Sequence, residues 1–229
     1  GNGQLILWFP PYTGFPGPPG AYPETDAPST NVCKLATDIG TATGIAIDDQ
    51  DNVYVASSGL LRIDRFAPPF PTGLGPGEGC EGADATGAPL ADAVDRSIAV
   101  LGELVVSPYS TFTGLAMAPN GNLYAASIIG GAIGEFRLDA PSPSLADTLV
   151  RDVLRPATAF PFPGSGTPQG LAVGGDGTLY YADLSLVGDF PDLGPGPDGK
   201  VWRIRFDEAG DPLPPERVRD GLAFPDGVG

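Results

Sequence analysis

A chain of 229 residues with 41% hydrophobic residues can bury the core of one domain, although its 34 glycines and 27 prolines make it rich in turns. Its net charge of −16, from 28 acidic and 12 basic residues, gives a surface that repels phosphate backbones and argues against nucleic acid as a partner. Histidine is absent, which excludes a Ser-His-Asp triad, a His-ligated zinc and a histidine general base within this chain.

The chain opens on Gly1-Asn2-Gly3-Gln4, which is neither a signal peptide nor an initiator methionine and reads as a processed or cut end. Residues 4–9 are a short apolar strand, and a Pro-Gly-rich insertion follows over 10–32. Cys33 and Cys80 stand 47 positions apart, a spacing that suits no zinc or redox motif. They predict either one disulfide between two loops or two separate thiols. The segments 44–57, 114–127 and 170–183 then repeat one pattern, with a tyrosine ten residues after a leading glycine: Gly44 and Tyr54, Gly114 and Tyr124, Gly170 and Tyr180. The glycine-to-glycine intervals are 70 and 56, then 57 if Gly227 opens a further copy.

Each copy reads as a β-hairpin, with Asp51-Asn52, Asn120-Gly121 and Asp176-Gly177 at its turn. A third strand is expected at 59–64, 134–139 and 200–207, and a fourth, less visible, at 99–106 in the first copy. Three or four antiparallel strands repeated at this period describe a β-propeller blade. The reading divides the chain into the end of an earlier blade (1–39), three blades (40–110, 111–165 and 166–221) and the start of another (222–229). Propellers close with about four to eight blades, so three full blades and two partial ones predict a fragment whose open edges are covered by missing blades or a protein partner. No apolar run reaches the ~18 residues of a membrane helix. High acidity, only two lysines and Pro-Gly loops suggest a periplasmic or extracellular protein.

The pattern Gly-φ-Ala-φ, turn, φ-Tyr-φ-Ala, then Arg-φ-Asp, where φ is apolar, resembles the NHL-repeat and gluconolactonase-like (SMP-30-type) propellers over roughly residues 40–229, with strictosidine-synthase-like proteins as relatives. The resemblance implies an all-β fold of four-stranded antiparallel blades, six in the parent protein, and a divalent cation, commonly calcium, in the axial channel. Pro225-Asp226-Gly227 matches one ligand motif of that family and implies Asp226 as a metal ligand. The two preceding blades place Thr113 and Gln169 where the family has asparagine. Thr43, Thr113, Gln169 and Asp226 are the channel-lining positions, open to a small-molecule ligand.

The remaining candidates carry structural readings beside functional ones. The segment 48–52 reads as a hairpin turn rather than a calcium loop, and 183–198, with Asp183, Asp189, Asp192 and Asp198, as a solvated loop or a calcium-binding rim. The recurrent tyrosines predict packing between blades. Arg62, Arg137 and Arg203 predict ion pairs with Asp64, Asp139 and Asp207. The functional expectation is a secreted binding or scaffold module whose insertions 10–32, 67–95 and 186–199 meet partners. Its alternative is a calcium-dependent hydrolase of sugar lactones or related esters.

Overall fold

The computed structural model describes residues 3–10, 32–80, 109, 111–140, 144–155, 166–187 and 194–229. These residues form fifteen strands and one helix of four residues: β1 (Leu5–Trp8), β2 (Val32–Ala36), β3 (Ala42–Ile47), β4 (Val53–Ser57), β5 (Arg62–Phe66), β6 (Phe112–Met117), β7 (Leu123–Ser127), β8 (Ala132–Phe136), α1 (Leu145–Thr148), β9 (Leu149–Leu154), β10 (Pro168–Val173), β11 (Leu179–Asp183), β12 (Leu186–Val187), β13 (Gly194–Pro195), β14 (Gly199–Ile204) and β15 (Glu216–Leu222). Strand order defines three antiparallel blades, β3-β4-β5, β6-β7-β8-β9 and β10-β11-β14-β15, and two two-stranded sheets, β1-β2 and β12-β13. The fold is an all-β propeller with four-stranded antiparallel blades.

In all three blades the same turn joins the first strand to the second. Asp48, Ala118 and Gly174 each donate their backbone N–H to the carbonyl four residues on, and Asp51, Gly121 and Gly177 donate back to those three residues. The last three have φ of 62°, 83° and 81°, the left-handed region that costs a side chain about 1–2 kcal/mol. Asp51 thus occupies a position that the other two blades give to glycine.

Neighbouring blades approach most closely at their innermost strands, and the repeat glycines permit it. A Cβ added to Gly44 would meet the carbonyl oxygen of Thr113 and the amide of Leu115, and one on Gly114 would meet the carbonyl of Gln169 and the amide of Leu171. One on Gly170 would meet the carbonyl of Asp226 and the amide of Val228. Thr113, Gln169 and Asp226 therefore stand at one repeat position. Residues 226–228 take the seat of a first strand, although Leu222 still belongs to the outermost strand β15.

Above these contacts the blades pack face to face. Ala46, Tyr54 and Ile63 of the first blade are buried with Phe112, Leu115, Leu123 and Phe136 of the second. Ala116, Tyr124 and Ile133 of the second are buried with Leu171, Leu179, Tyr181 and Ile204 of the third. The tyrosines Tyr54 and Tyr124 thus fill the space between blades, as their recurrence predicts. Tyr124 also stacks on Phe206, with ring centroids 5.9 Å apart.

β1 and β2 pair antiparallel as a separate two-stranded sheet. Their Leu5, Leu35 and Ala36 bury Val55 and Phe66 on the outer part of the first blade's face. On the inner part of that face Ile45 and Ile47 of β3 are exposed. Cys80 is buried and disulfide-bonded. Cys33 lies on β2 opposite Leu7, its side chain outside those described.

Two expectations shift. The third strands fall at β5 and β8 rather than at 59–64 and 134–139, because residues 58–60 form a 3-10 turn and Leu61, at φ 56°, turns the chain into β5. Fourth strands exist at β9 and β15, neither apparent from periodicity, because an outermost strand has a wet face and β15 reads Glu-Arg-Val-Arg-Asp-Gly-Leu. The fourth-strand candidate at 99–106 lies outside the described residues.

Equilibrium urea denaturation separates the two kinds of glycine. Gly114→Ala presses a Cβ onto backbone and is expected to cost about 3 kcal/mol. Gly121→Ala meets open space and should cost only its left-handed strain, about 1 kcal/mol. Asp51→Gly should leave stability unchanged or raise it by up to about 1 kcal/mol.

Candidate functional site

Of the four positions the sequence picks out, Thr43, Thr113 and Gln169 are the second residues of β3, β6 and β10, and Asp226 follows β15 in a segment without strand pairing. Thr43 is exposed, and its hydroxyl donates to the carbonyl of Phe112 in the next blade at 3.0 Å. Thr113 is buried, and its hydroxyl lies 3.4 Å from the carbonyls of Pro168 and Gln169 in the third blade. Both threonines thus tie one blade to the next. Gln169 is half-buried, and its Oε1 is a buried atom without a hydrogen-bond partner. Asp226 is exposed on the segment that follows. Among the described residues no three His, Cys, Asp or Glu side chains gather in a metal-ligating group.

The acidic segments are explained by local bonding. Asp48 Oδ1 accepts from the backbone N–H of Gln50 (2.9 Å) and Asn52 (2.8 Å), and Oδ2 accepts from Asn52 Nδ2 (2.8 Å) and the Tyr54 hydroxyl (3.0 Å). Segment 48–52 is a hairpin turn pinned by its own carboxylate. Burial raises the Asp48 pKa, but these bonds outweigh it and hold the carboxyl below its ordinary value. Burial, with the Asp48 carboxylate, pushes the Tyr54 hydroxyl up to about 12. Asp183, placed by sequence on a solvated or calcium-binding rim, is instead buried. It accepts from the N–H of Thr167 (2.7 Å), the N–H of Ser185 (2.8 Å) and Trp202 Nε1 (3.2 Å). Asp189 and Asp192 lie outside the described residues.

The three arginines do not share one position. Strand pairing sets Arg65, Glu135 and Arg203 opposite Tyr54, Tyr124 and Tyr180, whereas Arg62 opposes Ser57 and Arg137 lies just beyond β8. Arg62 pairs with Asp64 at 2.8 Å as expected, but Arg203 pairs with Glu216 at 2.8 Å instead of Asp207. Asp207 serves its own turn, accepting from the N–H of Ala209 and Asp211. Arg62-Ile63-Asp64 and Arg203-Ile204-Arg205 begin alike in sequence but differ in strand register.

A cross-strand charge pair escaped the sequence reading. Glu135 is buried on β8, where Oε1 accepts from Asn120 Nδ2 and Asn122 Nδ2, each at 2.7 Å, and Oε2 accepts from Arg151 Nε at 2.7 Å. In the third blade the same register joins Arg203 to Glu216, so the two blades carry one pair with the charges exchanged. The available signal was a lone charge at mid-strand beside the repeat tyrosine. Burial raises the Glu135 pKa, but the amide and guanidinium bonds outweigh it and leave the carboxyl below its ordinary value. Arg151 also lies over the ring of Phe206, 5.8 Å from its centroid, and so joins the second blade to the third. A cleft of about 920 Å³ opens beside it, lined by Asn120, Tyr124, Arg151, Asp176, Arg205 and Phe206 among others.

These features define a β-propeller whose inner-strand mouth is built for contact between blades. No family model and no curated protein matches the chain. Solved structures do. The chain is similar to one in a nidogen/laminin complex at 15% identity and a TM-score of 0.49, over 86% of this chain and 56% of that one. It is similar to virginiamycin B lyase from Staphylococcus aureus at 12% identity and 0.44, over 82% and 44%. With a gluconolactonase from Xanthomonas campestris the values are 15% and 0.42, over 78% and 47%. The chain spans about half the length of the solved chains it matches. The propeller assignment itself rests on strand pairing and blade packing.

The Glu135 pair predicts an acid-sensitive contribution to stability. A carboxyl with a depressed folded pKa stabilises fully above its unfolded value, ordinarily 4.5, and loses that contribution as pH falls through the lower folded value. Glu135→Gln should therefore be less stable than the parent at neutral pH, and the difference should shrink as pH falls below about 4. Urea midpoints across an acid series measure this.

Proposed function

We propose that this chain is part of a secreted β-propeller that serves as a binding or scaffold module. The observation that carries the reading is the use of Thr43 and Thr113: their hydroxyls face backbone carbonyls of the next blade and tie the blades to one another. The disulfide at Cys80 and the charge of −16 support an oxidising, exported setting. None of the described residues forms a helix long and apolar enough to cross a membrane. Partners are proteins that meet the blade loops and open edges, and a small molecule in the channel is secondary.

A calcium-dependent hydrolase of sugar lactones or related esters is the second reading, favoured by the unpartnered Oε1 of Gln169 beside Asp226. When bound there, the ion would polarise a lactone carbonyl and acidify a water. The donor set fits it poorly. Calcium takes about 6–8 oxygens, whereas Asp226 is the single carboxylate of the three and the Thr113 hydroxyl is committed to backbone.

Thermal melts with calcium and then with excess chelator test the choice, since a ligand bound only by the native state raises the melting temperature. The scaffold reading expects the same melt in both conditions, and no lactone hydrolysis that depends on Asp226. A calcium-dependent rise that disappears in Asp226→Ala, together with loss of lactone hydrolysis, would overturn it.

A further inference from the structure

A cleft opens at each of the two blade interfaces, at the end of the inner strands away from Thr43 and Thr113. Between the first and second blades it measures about 510 Å³ and is bordered by Tyr54, Met117, Pro119, Leu138 and Asp139. Between the second and third it measures about 920 Å³ and is bordered by Tyr124, Val173, Gly175, Phe206 and Asp207. These residues correspond in register. Met117 and Val173 end the inner strands opposite Leu123 and Leu179, and Leu138 and Phe206 each follow by two the third-strand residue opposite those leucines. What differs sets the larger cleft apart. Gly174 and Gly175 stand in its turn where the second blade has Ala118 and Pro119, and a Cβ on Gly175 would meet nothing within 4 Å. Phe206 replaces Leu138 and stacks on Tyr124, and Arg151 of β9 joins the wall with Arg205.

The arginines of the larger cleft come with their charge balanced. Arg151 donates through Nε to the buried Glu135 and through Nη1 to Asp211 at 3.2 Å, and Arg205 pairs with Glu216. A guanidinium has five N–H donors, so both keep donors to spare, and the two carboxylates with the Phe206 ring fix those of Arg151 in place. Asp207 Oδ1 accepts the amides of Ala209 and Asp211, and its Oδ2 accepts no bond among the described residues. We propose that this cleft binds a neutral oligosaccharide of about two or three units. A sugar hydroxyl both donates and accepts, so one ring can meet the guanidinium N–H groups and a carboxylate oxygen together, with its C–H groups against Tyr124 and Phe206. An anion is disfavoured by the chain's charge of −16 and by arginines already paired. An apolar ligand would cover those donors and give them no acceptor, which costs binding.

Isothermal titration of the full 229-residue chain with maltotriose, cellotriose and mannotriose tests this, with trigalacturonate as the anionic counterpart. Saturable binding of at least one neutral trisaccharide is expected, and none of trigalacturonate. Gly175→Trp adds an indole to the cleft wall where a Cβ meets open space, so it should abolish binding and leave the melting temperature unchanged. Arg205→Ala removes one set of donors while Glu216 keeps its bond to Arg203, and should weaken binding about tenfold. If no neutral trisaccharide binds, the proposal is overturned. It is overturned equally if binding is unchanged in either variant that melts like the parent, or if trigalacturonate binds as tightly as the neutral sugars. The site involves neither Asp226 nor calcium, so its failure leaves the scaffold reading to be judged by the calcium melts.

Discussion

The contact on which the rest depends is the approach of one innermost strand to the next at Gly44, Gly114 and Gly170. A glycine there lets the carbonyl of Thr113, Gln169 or Asp226 come where a Cβ would stand. That approach sets the spacing of the blades, and the spacing sets what can lie between them farther out. In each interface one blade contributes an alanine from its innermost strand, Ala46 or Ala116, against Leu115 or Leu171 of the next, and a tyrosine from its second strand, Tyr54 or Tyr124.

Polar groups follow the same logic of position. Near the axis, threonine hydroxyls satisfy carbonyls of the adjoining blade, where an unsatisfied group would be costly. At the far turns, Asp48 and Asp207 bind the amides of their own loops. On the outer strands, Glu135 with Arg151 and Arg203 with Glu216 occupy one register with opposite polarity. Exchange of sign at a fixed position is what selection for the pair, rather than for either charge, would produce. A chain this acidic therefore gives several of its carboxylates to structure.

The mouth of the inner strands was legible as a set of positions but not as a set of roles. Thr43, Thr113, Gln169 and Asp226 precede the repeat glycines, and spacing alone places them together. Whether a hydroxyl there faces a ligand or a neighbouring backbone depends on how far apart the blades stand, which no spacing encodes. The arginine tripeptides show the opposite failure. Arg62-Ile63-Asp64 and Arg203-Ile204-Arg205 look related, yet Arg62 lies opposite the end of β4 and Arg203 opposite its middle-strand tyrosine. A shift in the turn ahead of the third strand moves an Arg-Ile pair along the ladder without changing the pair itself.

By itself the sequence determined the repeat, the hairpin in every unit, the recurrence of glycine and tyrosine, and hence the propeller class, because these follow from local backbone preference and from alternation along a strand. Tertiary structure alone decided the register of the third strands, the outer strands β9 and β15, and the burial of Asp183 and Glu135. It also decided that threonine hydroxyls link blades. Each of these depends on partners far away in the chain, whose distance is set by packing and leaves no periodic mark on the residues themselves.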